Sequence, residues 1–228
     1  MMHIGRGRSI LTHMYQLCGT ILGSVTNEKY LGVYLNHDLK WDHHIDQVAA
    51  KASRKLGFIR RNLRGAPAKC KKLAYIALVR SGMEYASIIW DPHTKNNSSK
   101  LEKIQRSAVR WVRSSYSRTA SVTSMLAELK LEPLETRRRI QRLAFMYKIL
   151  HGEVAVPMTE INLYYSKRPA RGKDMNSRKL VTLRPNTDDF KFSFVTRTIN
   201  EWNSTPESIA SADSAASFKS RLIAHYHP

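Results

Sequence analysis

Cysteine is nearly missing: Cys18 and Cys70 are the only two among 228 residues. Two are too few for a disulfide framework or for a cysteine-built zinc site. Acidic residues are scarce as well, 18 against 38 lysines and arginines, which leaves a net charge of +20. No apolar run approaches the ~18 residues that a membrane-spanning helix requires. The opening residues 1–15 lack the continuous apolar stretch of a secretory signal. There is no GxSxG elbow, no phosphate loop, no HExxH, no internal repeat and no low-complexity tract. Together these absences argue against a disulfide-stapled secreted module, a membrane span and the common hydrolase and nucleotide-binding motifs. What remains is a basic chain of intracellular type, for the nucleus or the cytoplasm or both. A polyanion is its expected partner, nucleic acid first and an acidic membrane surface second.

The organising stretch is Lys29–Trp41, KYLGVYLNHDLKW. Tyr30, Leu31, Val33, Tyr34 and Leu35 read as a strand with Gly32 inside it, where a missing side chain lets another group come close. Asn36-His37-Asp38 supplies turn chemistry, and Asp42 stands where an N-cap belongs. Upstream, Met14, Tyr15, Leu17, Ile21 and Leu22, punctuated by Gly19 and Gly23, predict a hairpin leading into that strand. So small a sheet is marginal alone. His37, His43, His44 and Asp46 could be drawn as a metal cluster. Adjacent helical histidines point about 100° apart, however, and solvent-facing histidines at a helix start are the better reading.

From Asp42 to Leu63 the pattern is helical: Ile45, Val48, Ala49, Ala52, Leu56, Ile59 and Leu63 form one apolar stripe. Off that stripe lie Lys51, Arg54, Lys55, Arg60, Arg61 and Arg64. Gly65-Ala66-Pro67 ends the helix. A second helix is predicted over Pro67–Ile89, carrying Leu73, Ile76, Ala77, Met83 and Tyr85 before the apolar tail Ile88-Ile89-Trp90. Asn96–Ser99 reads as a loop. The third helix, Lys100–Arg113, buries Leu101, Ile104, Ala108 and Val112 and sets Lys103, Arg106, Arg110 and Arg113 along one cationic stripe. Like charges at that spacing repel, so the stripe is either a solvated face or a phosphate contact.

Residues 114–119 form a polar connector, Ser121–Leu129 a short helix, and Pro133 opens another to about Leu150. Arg137, Arg138, Arg139 and Arg142 oppose the dipole of that helix, which calls for an anion at its start or else makes them its solvated face, the preferred reading. Gly152–Asp189 is irregular and basic, a linker or a segment ordered by a partner, with Lys179–Leu183 as a candidate strand. Phe190, Phe192, Phe194 and Val195 alternate, Thr198–Asn203 resembles one helical turn carrying Trp202, and Ala212–Tyr226 is an amphipathic helix on Ala216, Phe218, Leu222 and Ile223. The pair Asp188-Asp189 is weak support for a two-metal site.

The fold class expected is mainly α: a small N-terminal β-hairpin element, a helical thumb-like bundle, and further C-terminal helices with an irregular basic segment. The expected divisions are residues 1–41, 42–114 and 115–228, the last loop-rich over 152–189.

Several long stretches resemble one family. The MHIGR of Met2–Arg6, then KYLGVYLNHDLKWDHHID from Lys29, look like the end of the palm in non-LTR (LINE-type) retrotransposon reverse transcriptases, the jockey-like group especially. LGFIRRNLRGAP (Leu56–Pro67), LAYIALVRSGMEYASIIWDPHT (Leu73–Thr94) and KLEKIQRSAVRWV (Lys100–Val112) are similar to their helical thumb. Tyr116–Leu143, Phe192–Pro206 and Phe218–Leu222 resemble the region after the thumb. The resemblance implies that Tyr30, Leu31, Gly32 and Val33 correspond to the hairpin that steadies the primer end, and that the helices over 42–113 hold a template–primer RNA/DNA duplex by its backbone. It also implies that the parent enzyme is an RNA-directed DNA polymerase using Mg2+ on aspartates of the palm, upstream of this chain's first residue. No catalytic residue, metal site, cofactor or small-molecule ligand is therefore expected here, and polymerisation by this chain alone is not expected. The missing palm and fingers would be a further partner.

Overall fold

The structure is a computed structural model and describes residues 1–4, 14–117, 119–167 and 176–226. Gly5 and Arg6 of the MHIGR motif, Arg118 of the connector, and Pro169 and Gly172 of the irregular segment lie outside the described residues. The protein is mainly helical, with small two-stranded antiparallel sheets near its N-terminus. It divides into two compact units, Met1–Ala86 with Pro92–Leu131, and Ser87–Asp91 with Glu132–Pro228.

The first unit opens with two hairpins, β1 (Gln16–Leu17) with β2 (Thr20–Ile21) and β3 (Asn27–Tyr30) with β4 (Val33–Asn36). Their two-residue turns, Cys18-Gly19 and Leu31-Gly32, have φ of 49° and 76°, and of 47° and 86°. Positive φ at both central residues is the requirement of the tight turn whose twist matches antiparallel strands. Tyr30–Leu35 is thus not one strand with a glycine inside it. Gly32 is a turn residue, and the strand breaks where the glycine permits it. The two hairpins also form separate sheets, not one.

α1 (Asp42–Asn62) follows, burying Ile45, Ala52, Leu56 and Ile59 as the stripe predicts. Trp41 occupies its N-cap without a side-chain bond. Asp42 instead stands in the first turn and accepts from the Asn97 side chain at 2.9 Å. The predicted second helix is not uniform. α2 (Ala68–Ala74) passes into a π-helical segment, Tyr75–Arg80, then α3 (Ser81–Glu84), and the run breaks at Ala86, whose φ is 52°. Its buried line is Lys71, Tyr75, Val79 and Met83, while Leu73, Ala77 and Tyr85 are exposed. α5 (Lys95–Arg113) begins five residues before the predicted start, because Thr94 caps it by accepting from the Asn97 N–H. Asn96–Ser99 therefore belongs to its first turns. Leu101, Ile104, Ala108 and Val112 are all buried. α6 (Val122–Glu128) closes the unit under a Ser121 cap.

The second unit contains α4 (Ser87–Trp90), whose Trp90 is fully buried, and α7 (Leu134–Leu150). Leu143, Met146, Tyr147, Trp202, Phe218 and Leu222 centre its core. The alternating residues fall on two helices, Phe190 in α8 (Asp188–Lys191) and Phe194 and Val195 in α9 (Phe194–Asn203), with Phe192 between them, followed by α10 (Glu207–Ala210) and α11 (Ala215–Tyr226). Lys179–Leu183 contributes one bridge, Tyr165 to Leu180. The described part of the irregular segment is no free linker, since Leu163 and Leu180 are buried and Asn203 both donates to and accepts from the Leu180 backbone at 2.8 Å.

Candidate functional site

In the first unit, a cleft of about 800 Å3 opens between the β3–β4 hairpin, α1 and the π-helical run. Lys29 enters from the hairpin and Lys51, Arg54 and Lys55 from α1, with Tyr34, Tyr85, His44 and Gln47 among the other walls. None of the lining residues is acidic. Four cations facing a common space without a carboxylate make a strongly electropositive concavity.

Each wall has a local cause. The ladder places Lys29 opposite Tyr34, and the Lys29 Nζ lies 5.5 Å from the Tyr34 ring centroid. The Tyr34 N–H donates to His44 Nδ1 at 3.2 Å, which ties β4 to the start of α1. His44 is buried, not solvent-facing, and burial first and the neighbouring His43 second push its pKa down to about 4. A neutral imidazole is what that acceptor role requires. His43 meets the edge of Tyr34 with ring centroids 5.2 Å apart. On the opposite wall the Tyr85 hydroxyl donates to the Leu31 carbonyl at 2.9 Å. A Cβ on Gly32 would lie 3.2 Å from that ring, so the close approach depends on glycine.

The sequence-derived residues sort into groups. Gly32, Lys51, Arg54 and Lys55 share the cleft. Tyr30 and Leu31 are exposed at the hairpin tip, whereas Val33, 5% exposed, is core. Arg60 and Lys103 meet elsewhere, in a shallow groove between α1 and α5 of about 430 Å3. There Arg60 donates to the Ser107 hydroxyl at 3.3 Å and lies 6.0 Å from the Tyr116 ring centroid. Along α5, Arg110 donates to the Ser117 carbonyl at 2.8 Å and Arg113, itself exposed, pairs with Glu128 at 2.8 Å, while Lys103 and Arg106 are also exposed. Arg61 and Arg64 are exposed and line neither concavity. Lys29, Tyr34, Gln47 and Tyr85 escaped sequence reasoning. Placing the turn at Leu31-Gly32 would have found the first two, because that register sets Lys29 against Tyr34.

The arginines of α7 are not its solvated face. Arg138 and Arg142 are each 1% exposed and close on carboxylates of their own unit. Arg138 Nε lies 2.6 Å from Asp91 Oδ1, Arg142 also pairs with Asp91, and Arg197 Nη1 lies 3.2 Å from Asp91 Oδ2. Arg142 Nη2 reaches both Glu201 oxygens at 2.7 Å. Burial lowers the pKa of Arg142, and Glu201 opposes that shift. Arg137 pairs separately with Glu132 at 2.7 Å. The anions that the cationic helix start calls for are thus Asp91 and Glu201.

Among the described residues, no three His, Cys, Asp or Glu side chains are grouped to hold a metal ion, and Asp188-Asp189 forms the first turn of α8 under a Thr187 cap. No helix among the described residues is long and apolar enough to cross a membrane. No protein-family model, no curated protein and no solved structure matches the chain.

Proposed function

We propose that this chain binds nucleic acid without catalysing a reaction, as the end of the palm, the thumb and the C-terminal region of a LINE-type reverse transcriptase. The observation that carries the binding reading is the cleft where the β3–β4 hairpin meets α1. Four cations and two tyrosines line it, and no acid does. Contacts from lysine and arginine to phosphates supply affinity without sequence information. The resemblance of Lys29–Asp46 and of the helices through Val112 to the primer-steadying hairpin and thumb of that family supplies the partner: a template–primer duplex of RNA and DNA. On this reading the exposed cations Arg61, Arg64, Lys103 and Arg106 follow the duplex backbone, the cations of the cleft meet phosphates beside the paired region, and polymerisation belongs to a palm that supplies the Mg2+ carboxylates.

The test is the affinity of the purified chain for an RNA–DNA hybrid with a recessed primer end, against blunt duplex DNA, across a salt series. Preference for the primed hybrid that survives moderate salt supports the reading. Equal and steeply salt-dependent affinity for both reduces it to charge alone, and tighter binding to acidic lipid vesicles than to either duplex contradicts it.

A second reading, completion of a separately encoded palm, is favoured by the exposed side chains of Tyr15, Leu17, Ile21 and Tyr30 on the two hairpins. Association with a palm-bearing chain that Leu17→Ser with Tyr30→Ser abolishes would support it.

A further inference from the structure

A cleft of about 800 Å3 has the capacity of a site for one small ligand. It cannot take in a double helix, whose major groove alone is about 12 Å wide. Its contents are therefore smaller than the duplex that the rest of the basic surface could follow. Cations reach it from two sides, Lys29 from the hairpin and Lys51 and Lys55 from α1, as suits a phosphate held between the walls.

The same space has an aromatic side. Tyr85 remains 59% exposed although its hydroxyl is bonded to Leu31 and its edge rests on Gly32. Beyond the cleft, Phe58 is 57% exposed on α1, three residues after Lys55. Burial explains neither ring. Flat π surfaces set among lysines and arginines are the platforms on which unpaired bases stack, and stacking of this kind tolerates any base.

We propose, resting on the nucleic-acid reading above, that the cleft receives an unpaired stretch of about one or two nucleotides. Its phosphates lie against Lys51 and Lys55 and a base stacks on Tyr85, with Phe58 as the next platform outward. Paired nucleic acid stays outside the cleft. The chain thus distinguishes a strand end or overhang from a blunt duplex by admitting its bases, not by reading their sequence.

The experiment measures binding of the whole chain by fluorescence anisotropy at low salt to three probes of equal length: a single-stranded oligonucleotide, the same backbone made abasic, and a blunt duplex. The intact strand is expected to bind about tenfold or more tightly than the abasic strand. Tyr85→Leu and the surface substitution Phe58→Leu are each expected to narrow that gap, so that a folding defect in the first does not remove the test. Equal affinity for intact and abasic strands overturns the stacking proposal while leaving polyanion binding in place. A gap that neither substitution narrows overturns the assignment to this cleft. Absence of binding to all three probes overturns the nucleic-acid reading together with it.

Discussion

The hydroxyl of Tyr85 donates to the carbonyl of Leu31 at 2.9 Å, joining positions 54 residues apart. The bond fastens the tip of the β3–β4 hairpin to the residue that follows α3, and α1 holds β4 through the bond from the Tyr34 N–H to His44. The cleft is thus a property of three elements fixed to one another, since a two-stranded hairpin is barely stable by itself.

Loosening that tip should be measurable. Tyr85→Phe keeps the ring and removes the donor, at a cost of about 1 kcal/mol. Gly32→Ala places a side chain at φ +86° and against the Tyr85 ring, at a cost of about 1–2 kcal/mol from backbone strain alone. Both should speed amide hydrogen exchange across β4 relative to α5. Unchanged exchange in the two variants would show that the hairpin is held by other contacts.

His44 makes the attachment sensitive to acid. Its pKa in the fold is about 4, against an ordinary value of 6.5. The unfolded chain takes up the proton first as the pH drops. The stability that neutral His44 contributes is therefore whole above pH 6.5 and is lost as the pH falls from there toward 4. The full difference amounts to roughly 3 kcal/mol. Urea unfolding at pH 7 and pH 4.5 should show a smaller acid loss in His44→Leu than in the native chain. Equal losses would place the acid sensitivity elsewhere.

In the second unit, Asp91 faces three guanidinium groups, two of them buried. Removing it strands Arg138 and Arg142 without their shared anion. Asp91→Ala should cost about 3–5 kcal/mol, read by urea unfolding with the buried Trp90 and Trp202 as reporters. A loss under about 1 kcal/mol, the range of an exposed pair, would contradict burial of the network.

The stripe on α5 should act unevenly. Lys103, Arg106 and Arg113 are all exposed, but Arg113 is already paired with Glu128 and Arg110 with a backbone carbonyl. Arg106→Ala should lower the slope of log affinity against log salt for duplex by about 0.9, and Arg113→Ala by less. The reverse order would mean that the internal partners of Arg113 and Arg110 give way to phosphate.

How much of this the sequence carried varies with the element. The apolar lines of α1 and α5 were legible, because both helices keep regular periodicity over long stretches, and Lys51, Arg54 and Lys55 stood out beside the first. The buried line of the second helical run was not legible. Hydrogen bonds of the i→i+5 kind widen the turn between Tyr75 and Arg80, so Lys71, Tyr75, Val79 and Met83 recur every fourth residue, and Leu73 and Ala77 point outward. The break at Leu31-Gly32 was hidden because both flanks are strand-like, and with it went the pairing of Lys29 with Tyr34. Arg138 and Arg142 misled for another reason: charge predicts exposure until a distant partner such as Asp91 or Glu201 is known. Tyr85 could not be assigned to the cleft, since its partner Leu31 is remote in the chain.

On the proposed reading, phosphates bind in the cleft between the hairpin and α1. The most direct test is the salt dependence of affinity for a primed RNA–DNA hybrid in the native chain and in Lys51→Ala with Lys55→Ala. If the cleft meets phosphates, the double substitution weakens binding and lowers the slope by about 1–2 charges' worth, with the unfolding midpoint unchanged because both lysines lie off the apolar stripe. An unaltered slope and affinity would place the phosphates on another surface and contradict the assignment.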